Sequence, residues 1–374
     1  MNLADMLSYA DIQELSRIAE NYDCNCNGHS KNELIQSILT KVSRREVFEG
    51  QIESLQLEDV RFLNSILFDP RNSFSLEELV ARVQQSKFQK EEGDNWNPRE
   101  MITKFKRRGW LFNGYSQQTR YLFQIPEDLK KRFGDVLAKH FRRNLTTLDE
   151  PGVYRDEQQL LIDDIYYFLQ FVYKQPVALT AENYMYKRSL QQVLEHMSVK
   201  EEPVGKTAWR FGYGRMFREY PSRFSFIYDY CYYQELIGEN DQVLSLTELG
   251  RSRIEQGHKE DLLQVYRFWL RLYKNPIPNL QAMVHWIERL TPAWTTYETL
   301  KEALSPLIRS YYYDSPESIL EWRIVQMMMH LGLLRIGEDE KHGKVVRMTK
   351  LGSGVIHGTY VAEDDKVHLP EYKL

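Results

Sequence analysis

The chain has 374 residues, of which 42% are hydrophobic, and this length and composition predict a folded protein of two or three domains. Apolar runs stay short of the ~18 residues that a membrane span needs, and no charged-apolar leader is recognisable at the start, so a soluble intracellular protein is expected. The net charge of −4 argues against a strongly basic nucleic-acid coat protein, and three cysteines are too few for a disulfide framework.

Residues 1–42 are predicted to form a helix, an extended loop and a second helix. Ser30 followed by Glu33 is typical of a capping box at the start of the second helix. The predicted apolar stripe of the first helix is Leu7, Ile12, Leu15, Ile18 and Ala19.

This segment resembles the SAP and Rho N-terminal motifs. The matching residues are Leu15, Ala19, Gly28, Ser30, Lys31, Leu34 and Ile38. The resemblance implies nucleic-acid binding at the start of the second helix, where Lys31 and free backbone N–H groups would meet phosphate. The alternative is a small helical cap that contacts protein.

Residues 57–143 are predicted to form a winged helix, in which a β-hairpin follows a group of helices. Two shorter helical patterns precede a basic helix that begins at Asn97-Pro98 and ends at Gly109. A hairpin is then predicted from strands at residues 110–112 and 121–123, with a turn at Asn113-Gly114. The alternative is a solvated basic helix beside a structural hairpin.

The basic side chains of this helix are expected on the face opposite Met101 and Phe105, where they could contact a nucleic-acid backbone. The candidate contacts are Lys104, Lys106, Arg107 and Arg108 on the helix, Arg120 in the hairpin, and Lys130 and Lys131 on the helix that follows. Residues 101–143 carry eleven Lys or Arg and three Asp or Glu, a local net charge of +8 that leaves −12 for the rest of the chain. Such a basic segment could steer a phosphate backbone, and the acidic remainder could receive a basic partner.

A polar, turn-rich segment between residues 144 and 158 is predicted to be a domain boundary. Two further winged-helix-like domains are predicted at residues 158–258 and 261–360, followed by a tail at 361–374. The evidence is an internal repeat: Leu246-Thr247-Glu248-Leu249-Gly250 matches Met348-Thr349-Lys350-Leu351-Gly352, and each copy follows a predicted helix and hairpin. The predicted fold class is therefore mainly α, with a SAP-like module and tandem α+β winged-helix units.

A second basic and aromatic stretch spans residues 206–226. Basic groups that alternate with aromatic rings are typical of single-strand binding proteins, although the same pattern fits an aromatic core with arginines at its rim. The secondary candidate residues are Lys206, Trp209, Arg210, Arg215 and Arg218.

No enzyme motif is intact in the sequence, and we expect neither catalysis nor a cofactor. Gly205-Lys206-Thr207 resembles the end of a P-loop, but residue 200 is Lys where the motif needs Gly. Cys24, Cys26 and His29 supply three ligands where a structural zinc site needs four. Asp163 and Asp164 are expected on a solvated helix face, and no metal site is predicted.

The order of these modules resembles the N-terminal region of XPB-type helicase proteins and of stand-alone bacterial relatives that lack the motor. The resemblance covers residues 5–358 and rests on layout, and this chain carries no motor. We therefore expect a DNA-binding accessory or adaptor of low sequence specificity that serves replication, repair or transcription in the cytoplasm, at the nucleoid. The alternative is a scaffold whose winged helices dock a protein partner of a nucleic-acid machine, and no membrane association is expected.

Overall fold

The computed structural model describes residues 1–69, 71–88, 97–205 and 210–358 of the chain. Within these ranges the protein is mainly helical with small β-sheets, which confirms the predicted fold class at this level. The chain divides into two compact units, unit 1 (Met1–Asn144) and unit 2 (Leu145–Leu374). The predicted tail at residues 361–374 lies outside the described residues.

Unit 1 is a helical body with one small hairpin. Its helices are α1 (Leu3–Tyr9), α2 (Ile12–Asn21), α3 (Lys31–Ser43), α4 (Arg45–Glu53), α5 (Leu57–Leu67), α6 (Leu76–Ser86), α7 (Pro98–Arg107) and α8 (Glu127–Arg142), and strands β1 (Phe112–Asn113) and β2 (Phe123–Gln124) form an antiparallel hairpin between α7 and α8. Trp110 is fully buried at the centre, and its ring centroid lies 5.5 Å from that of Phe105 and 4.9 Å from that of Phe133. Phe48 of α4 packs on the same cluster, so all these elements share one core.

The predicted N-terminal helix–loop–helix is present as α2 and α3. The Ser30 side chain accepts a hydrogen bond from the backbone N–H of Glu33, as the capping box predicts. The Glu33 carboxylate, however, accepts from the backbone N–H of Asn27 at 3.3 Å, so the box is completed on one side only. The single first helix of the prediction is two helices, α1 with the buried Leu7 and α2 with the buried Leu15, and Ile12 at the start of α2 is 40% exposed.

Unit 2 combines many short helices with two antiparallel sheets. Its helices are α9 (Leu160–Lys174), α10 (Lys187–His196), α11 (Ser222–Tyr233), α12 (Glu248–Glu255), α13 (Leu262–Tyr273), α14 (Leu280–Leu290), α15 (Tyr297–Leu304), α16 (Pro316–Ser318), α17 (Gln326–His330) and α18 (Lys350–His357); a 3-10 turn (Ser305–Leu307) follows α15, and a π-helical stretch (Ile319–Val325) joins α16 to α17. Its strands are β3 (Thr147–Leu148), β4 (Val153–Arg155), β5 (Val177–Ala178), β6 (Ile237–Asn240), β7 (Val243–Leu246), β8 (Trp294–Thr296), β9 (Leu334–Asp339) and β10 (Gly343–Met348). The strand orders are β5-β7-β6 and β3-β8-β10-β9-β4.

The segment between residues 144 and 158, predicted as a polar boundary, contributes β3 and β4 to a sheet. Thr147 in β3 lies opposite Thr295 in β8, and Val153 in β4 lies opposite Glu338 in β9. The boundary between the two units falls at the start of this segment, after Asn144, and the residues that follow belong to a sheet of unit 2. The polar composition of the segment is compatible with these strands, because edge strands commonly carry polar and charged side chains.

Three segments of the described chain share one order of elements: helix, short strand, helix, helix, hairpin. In unit 1 the order is α5, the isolated strand residue Phe74, α6, α7 and β1–β2. In unit 2 it is α9, β5, α10, α11 and β6–β7, and then α14, β8, α15, the helical run from α16 to α17 and β9–β10. In each segment the short strand pairs with the second strand of the hairpin, so the pairing as well as the order recurs.

The repeated Thr-x-Leu-Gly sequences have the same local structure. Thr349 caps α18, because its side-chain oxygen accepts from the backbone N–H of Gly352 at 2.9 Å. Its own backbone N–H donates to the carbonyl oxygen of Leu333, just before β9. A Cβ at Gly352 would lie 2.3 Å from that carbonyl oxygen, so the close approach of helix and hairpin requires glycine. The corresponding residues of the earlier copy, with the same contacts, are Thr247, Gly250 and Leu236.

Candidate functional site

Helix α7 begins and ends where the sequence predicts. The Asn97 side chain accepts from the backbone N–H of Arg99, Pro98 is the first helical residue, and Gly109 follows the helix with a φ of 63°. Met101 and Phe105 are buried, in agreement with the predicted apolar face.

The exposed face of α7 differs from the predicted one. Arg99, Thr103 and Arg107 are exposed, and their i, i+4, i+8 spacing places them on one stripe. The Thr103 hydroxyl donates to the backbone carbonyl of Arg99 at 2.9 Å. The open surface of this helix therefore presents two arginines around a threonine.

Two of the predicted contacts on α7, Lys104 and Lys106, are held by other groups of unit 1. The Lys104 ammonium forms an ion pair with Asp59, whose side chain is only 4% exposed. The Lys106 ammonium donates to the Asn113 side-chain oxygen at 2.7 Å and lies 3.3 Å from a Glu14 carboxylate oxygen.

Arg108 is buried, and the prediction that it belongs to an exposed basic face is wrong. Its guanidinium lies 4.8 Å from the centroid of the Trp110 ring and donates to the Ser54 hydroxyl at 3.2 Å. This burial lowers the pKa of the guanidinium. Its position follows the end of α7 at Arg107, so helical periodicity no longer fixes where its side chain points.

The hairpin exists, but its strands are shorter than predicted and its loop is longer. Residues 114–122 connect β1 to β2, and the loop is closed by a hydrogen bond from the Gly114 N–H to the Leu122 carbonyl. Ser116 and Thr119 hydrogen-bond to each other through side chains and backbone. The Arg120 guanidinium lies over the Tyr121 ring at 4.5 Å, and both side chains are exposed.

A cleft of about 520 Å³ opens between α1–α2 on one side and α7 with the hairpin on the other. Its charged walls are Arg17, Lys106, Arg107, Asp11 and Glu14. Tyr9 and Tyr115 also line it, and their rings stack with centroids 4.8 Å apart and planes 21° apart. Both rings are highly exposed, at 62% and 60%.

The other basic candidates of unit 1 fall into two groups. Lys31 and Lys131 are exposed, and the Lys31 ammonium donates to the Ser8 carbonyl at 2.8 Å. Lys130 instead donates to three oxygens of the α5–α6 connection, two backbone carbonyls and the Asn72 side chain, at 3.1–3.3 Å. Burial lowers the pKa of its ammonium, and Lys130 is part of the structural core of this connection.

The basic segment is also balanced by acids of the same unit. Residues 1–144 carry 22 Lys or Arg and 21 Asp or Glu, a net charge of +1, and residues 145–374 carry −5. Lys139 pairs with Glu49, and Arg143 pairs with Glu53. Much of the acidic charge assigned to a separate body therefore lies within unit 1, where it pairs with the basic segment.

The secondary stretch is mainly a structural element of unit 2. Arg210 donates to the Tyr220 carbonyl and the Ser222 hydroxyl, and Arg215 pairs with the buried carboxylate of Glu239. Arg218 is exposed and lies over the Phe217 ring at 5.7 Å. The candidates Lys206 and Trp209 lie outside the described residues.

Arg223, at the end of this stretch, is fully buried. It pairs with Asp164 at 2.6 Å, so the expectation that Asp164 lies on a solvated face is wrong. Glu157 also contacts the guanidinium, at 3.3 Å, and accepts from the His330 side chain. The network joins α9, α11 and α17 and leaves none of these charges open to solvent.

The third helix of the shared topology has an open face in unit 1, is buried as α11 in unit 2, and is partly exposed in the second copy of unit 2, at Glu317 and Trp322. In α11 every residue from Arg223 to Cys231 is buried. In the second copy of unit 2, residues 327–330 are buried, and Arg323 pairs with Asp314. Among these three helices, α7 is therefore the one whose exposed residues include arginines, Arg99 and Arg107.

Two kinds of site are not found among the residues that the structure describes. No group of three or more His, Cys, Asp or Glu is placed to hold a metal ion. No described helix is long and apolar enough to cross a bilayer.

Sequence reasoning missed Arg99, Arg17 and the two stacked tyrosines. A signal for Arg99 was present, since it lies eight residues before Arg107 and therefore on the same helix face. Tyr9 and Tyr115 are 106 positions apart, and nothing in their local sequence indicates that they meet.

No protein-family model, curated protein or solved structure matches this chain.

Proposed function

We propose that the protein is a non-enzymatic nucleic-acid-binding accessory or adaptor whose binding surface is the exposed face of α7. The supporting observation is the topology shared by three segments, in which helix, strand, helix, helix and hairpin follow one another and the short strand joins the hairpin. We interpret this order of elements as that of a winged helix, a variant of the helix-turn-helix modules whose recognition helix enters the major groove of DNA. The copy in unit 1 has an open third helix.

The proposed contacts on DNA are mainly electrostatic. Arg99 and Arg107 flank the groove, and Thr103 lies between them at hydrogen-bond reach of a backbone or base edge. Arg120, in the hairpin loop, contacts phosphate as a wing residue does, and Lys31 and Lys131 add exposed positive charge. Because the proposed contacts go mainly to phosphates, which carry no sequence information, we expect low sequence specificity.

The test is a fluorescence-anisotropy titration of duplex DNA at two salt concentrations. The wild type should bind, and its affinity should fall as salt rises, because neutralised phosphates release counterions. Arg99→Glu with Arg107→Glu should weaken binding by on the order of tenfold or more and flatten the salt slope by about one to two phosphate contacts. The matched control is Arg44→Glu with Arg188→Glu, an equal charge change at exposed residues that belong neither to α7 nor to the cleft lining.

Equal losses in the two double variants would contradict the proposed surface, because the effect would then follow net charge alone. Absence of binding by the wild type at low salt would overturn the proposed function. The cellular roles in replication, repair or transcription at the nucleoid, and the relation to the N-terminal region of XPB-type helicase proteins, belong to this same proposal.

A protein-docking role is the second candidate, and the burial of α11 favours it for the first copy in unit 2. A winged helix without an open third helix lacks the usual groove-reading surface, and such units serve well as docking modules. A partner that stays bound after nuclease treatment, and that binding assays map to residues 145–374, would support this role. A partner lost on nuclease treatment would contradict it.

A further inference from the structure

The cleft beside α7 has features that a duplex-binding face does not need. Tyr9 and Tyr115 expose most of their ring surface, although aromatic rings are usually among the more buried side chains. They are stacked on each other at the edge of a cavity of about 520 Å³, which lies within the ~300–1,000 Å³ range of small-molecule sites.

The elements that present the two rings are well ordered. Tyr9 is the last residue of α1, whose N-terminus is fixed by a reciprocal capping box between Asn2 and Asp5. Tyr115 follows Gly114 in the hairpin loop, where the Ser116 and Thr119 hydrogen bonds fix the backbone. Because hydrogen bonds hold the backbone near both rings, the Tyr9–Tyr115 pair loses little conformational entropy when a flat group stacks on it.

The charges of the cleft favour an anionic ligand beside Arg17 and Arg107. Glu14 is paired with Lys106 at 3.3 Å, and Asp11 accepts from the backbone N–H of Glu14 as the cap of α2. Both acids therefore have a partner within unit 1. Arg17 and Arg107 are exposed and line the same cleft, which leaves two cations available for phosphate. Asn113 and Gln124 also line it, but the Asn113 amide is held by Lys106 and the Arg120 carbonyl, and the Gln124 amide N–H donates to the Ser73 hydroxyl.

We propose that this cleft binds an unpaired nucleotide, with its base stacked on the Tyr9–Tyr115 pair and its phosphate at Arg17 and Arg107. The inference rests on the proposed function and names the substrate class: DNA in which a duplex adjoins a single-stranded segment. Because Arg107 belongs both to the exposed stripe of α7 and to the cleft, a strand that leaves a duplex at α7 passes directly into the cleft. Stacking on aromatic side chains tolerates any base, which agrees with low sequence specificity.

The experiment compares a blunt DNA duplex with the same duplex carrying a short unpaired overhang that contains 2-aminopurine. The full-length wild type should bind the overhang duplex on the order of tenfold more tightly, and stacking should quench the 2-aminopurine fluorescence. Tyr9→Ala with Tyr115→Ala should abolish both the preference and the quench. Tyr9→Phe with Tyr115→Phe should keep both, because the rings remain. Tyr312→Ala removes a ring of similar exposure, 58%, in unit 2 and serves as the matched control.

The outcomes distinguish a failure of the cleft inference from a failure of the proposed function. Equal affinity for the two duplexes, without a quench in the wild type, would overturn the cleft inference and leave the proposed function standing. Failure to bind either duplex would overturn both. If the alanine pair does not fold, as judged by circular dichroism, the wild-type quench and the phenylalanine pair still decide the matter.

Discussion

At the residue scale, the basic side chains next to one another in sequence have different physical roles. Arg107 is exposed, Lys104 is paired with a buried carboxylate, and Arg108 lies beneath the surface against Trp110. A buried carboxylate without its cation is costly, because desolvation is then not compensated. Positive charge in this helix therefore serves folding as well as the proposed binding.

Lys104→Met should lower the free energy of unfolding by about 1–3 kcal/mol, because Asp59 loses its cation while Lys104 itself is partly solvated. Asp59→Asn in the same chain should restore part of this loss, since no buried charge then remains. Urea denaturation of the two variants measures the difference. Salt dependence of DNA binding should be unchanged in Lys104→Met, and a flattened salt slope would show that Lys104 contacts phosphate after all.

Asp229 in α11 should make unit 2 less stable as pH rises through the weakly acidic range. Burial raises the pKa of its carboxyl from 3.8 to about 7, and the backbone N–H of Arg215 donates to it at 2.8 Å. Between pH 3.8 and 7 the folded state holds a proton that the unfolded state has lost, so stability falls with pH in this window and levels off above it. Asp229→Asn should reduce the slope, as measured by urea denaturation at several pH values. An unchanged slope would contradict the assignment to Asp229.

At the element scale, two glycine-to-alanine substitutions in α18, two residues apart, should have opposite effects on the stability of unit 2. Gly352→Ala should destabilise unit 2 strongly, by several times the ~1 kcal/mol of an ordinary helix cap, because the added methyl group would meet the Leu333 carbonyl oxygen at 2.3 Å. Gly354→Ala, in the same helix with nothing within 4 Å, should be neutral or stabilise by about 0.5–1 kcal/mol. Thermal unfolding of the two variants provides the comparison, and similar shifts in Tm would contradict the packing argument.

Elements were predicted well from sequence where the cause is local. Asn97-Pro98 and Gly109 define α7 through capping and backbone conformation, and these depend on adjacent residues only. The faces of α7 were predicted in part, because periodicity shows which residues share a side of a helix but not which neighbour covers them. Asp59 lies 45 positions before Lys104, and only the folded chain brings their side chains together. Strands β3 and β4 were missed for the same reason, since their partners lie in the last third of the sequence.

At the scale of the whole molecule, the proposed interface belongs entirely to unit 1. The exposed stripe of α7, the hairpin loop and the cleft all lie within residues 1–144, which also contain the core around Trp110. A fragment of residues 1–144 should therefore fold and bind duplex DNA with an affinity close to that of the full chain. A fragment of residues 145–374 should bind far more weakly. Anisotropy titrations of both fragments measure this, and the reverse order of affinities would move the binding surface to unit 2.

The burial of α11 determines how its amide protons exchange with deuterium. This helix lies within the unit from Arg223 to Cys231, and its charged residue Arg223 is bound to Asp164 and Glu157 from other segments. Its amide protons can meet solvent only when those segments separate as well, so they should exchange with deuterium at the rate set by global unfolding. The hairpin loop of unit 1, at residues 114–122, has several exposed side chains and backbone hydrogen bonds that lie within the loop itself, so its amides should exchange earlier than those of α11 without global unfolding. In α11, amide exchange should thus be as slow as the global unfolding of unit 2, and a ligand could reach the buried face of this helix only if the unit unfolds.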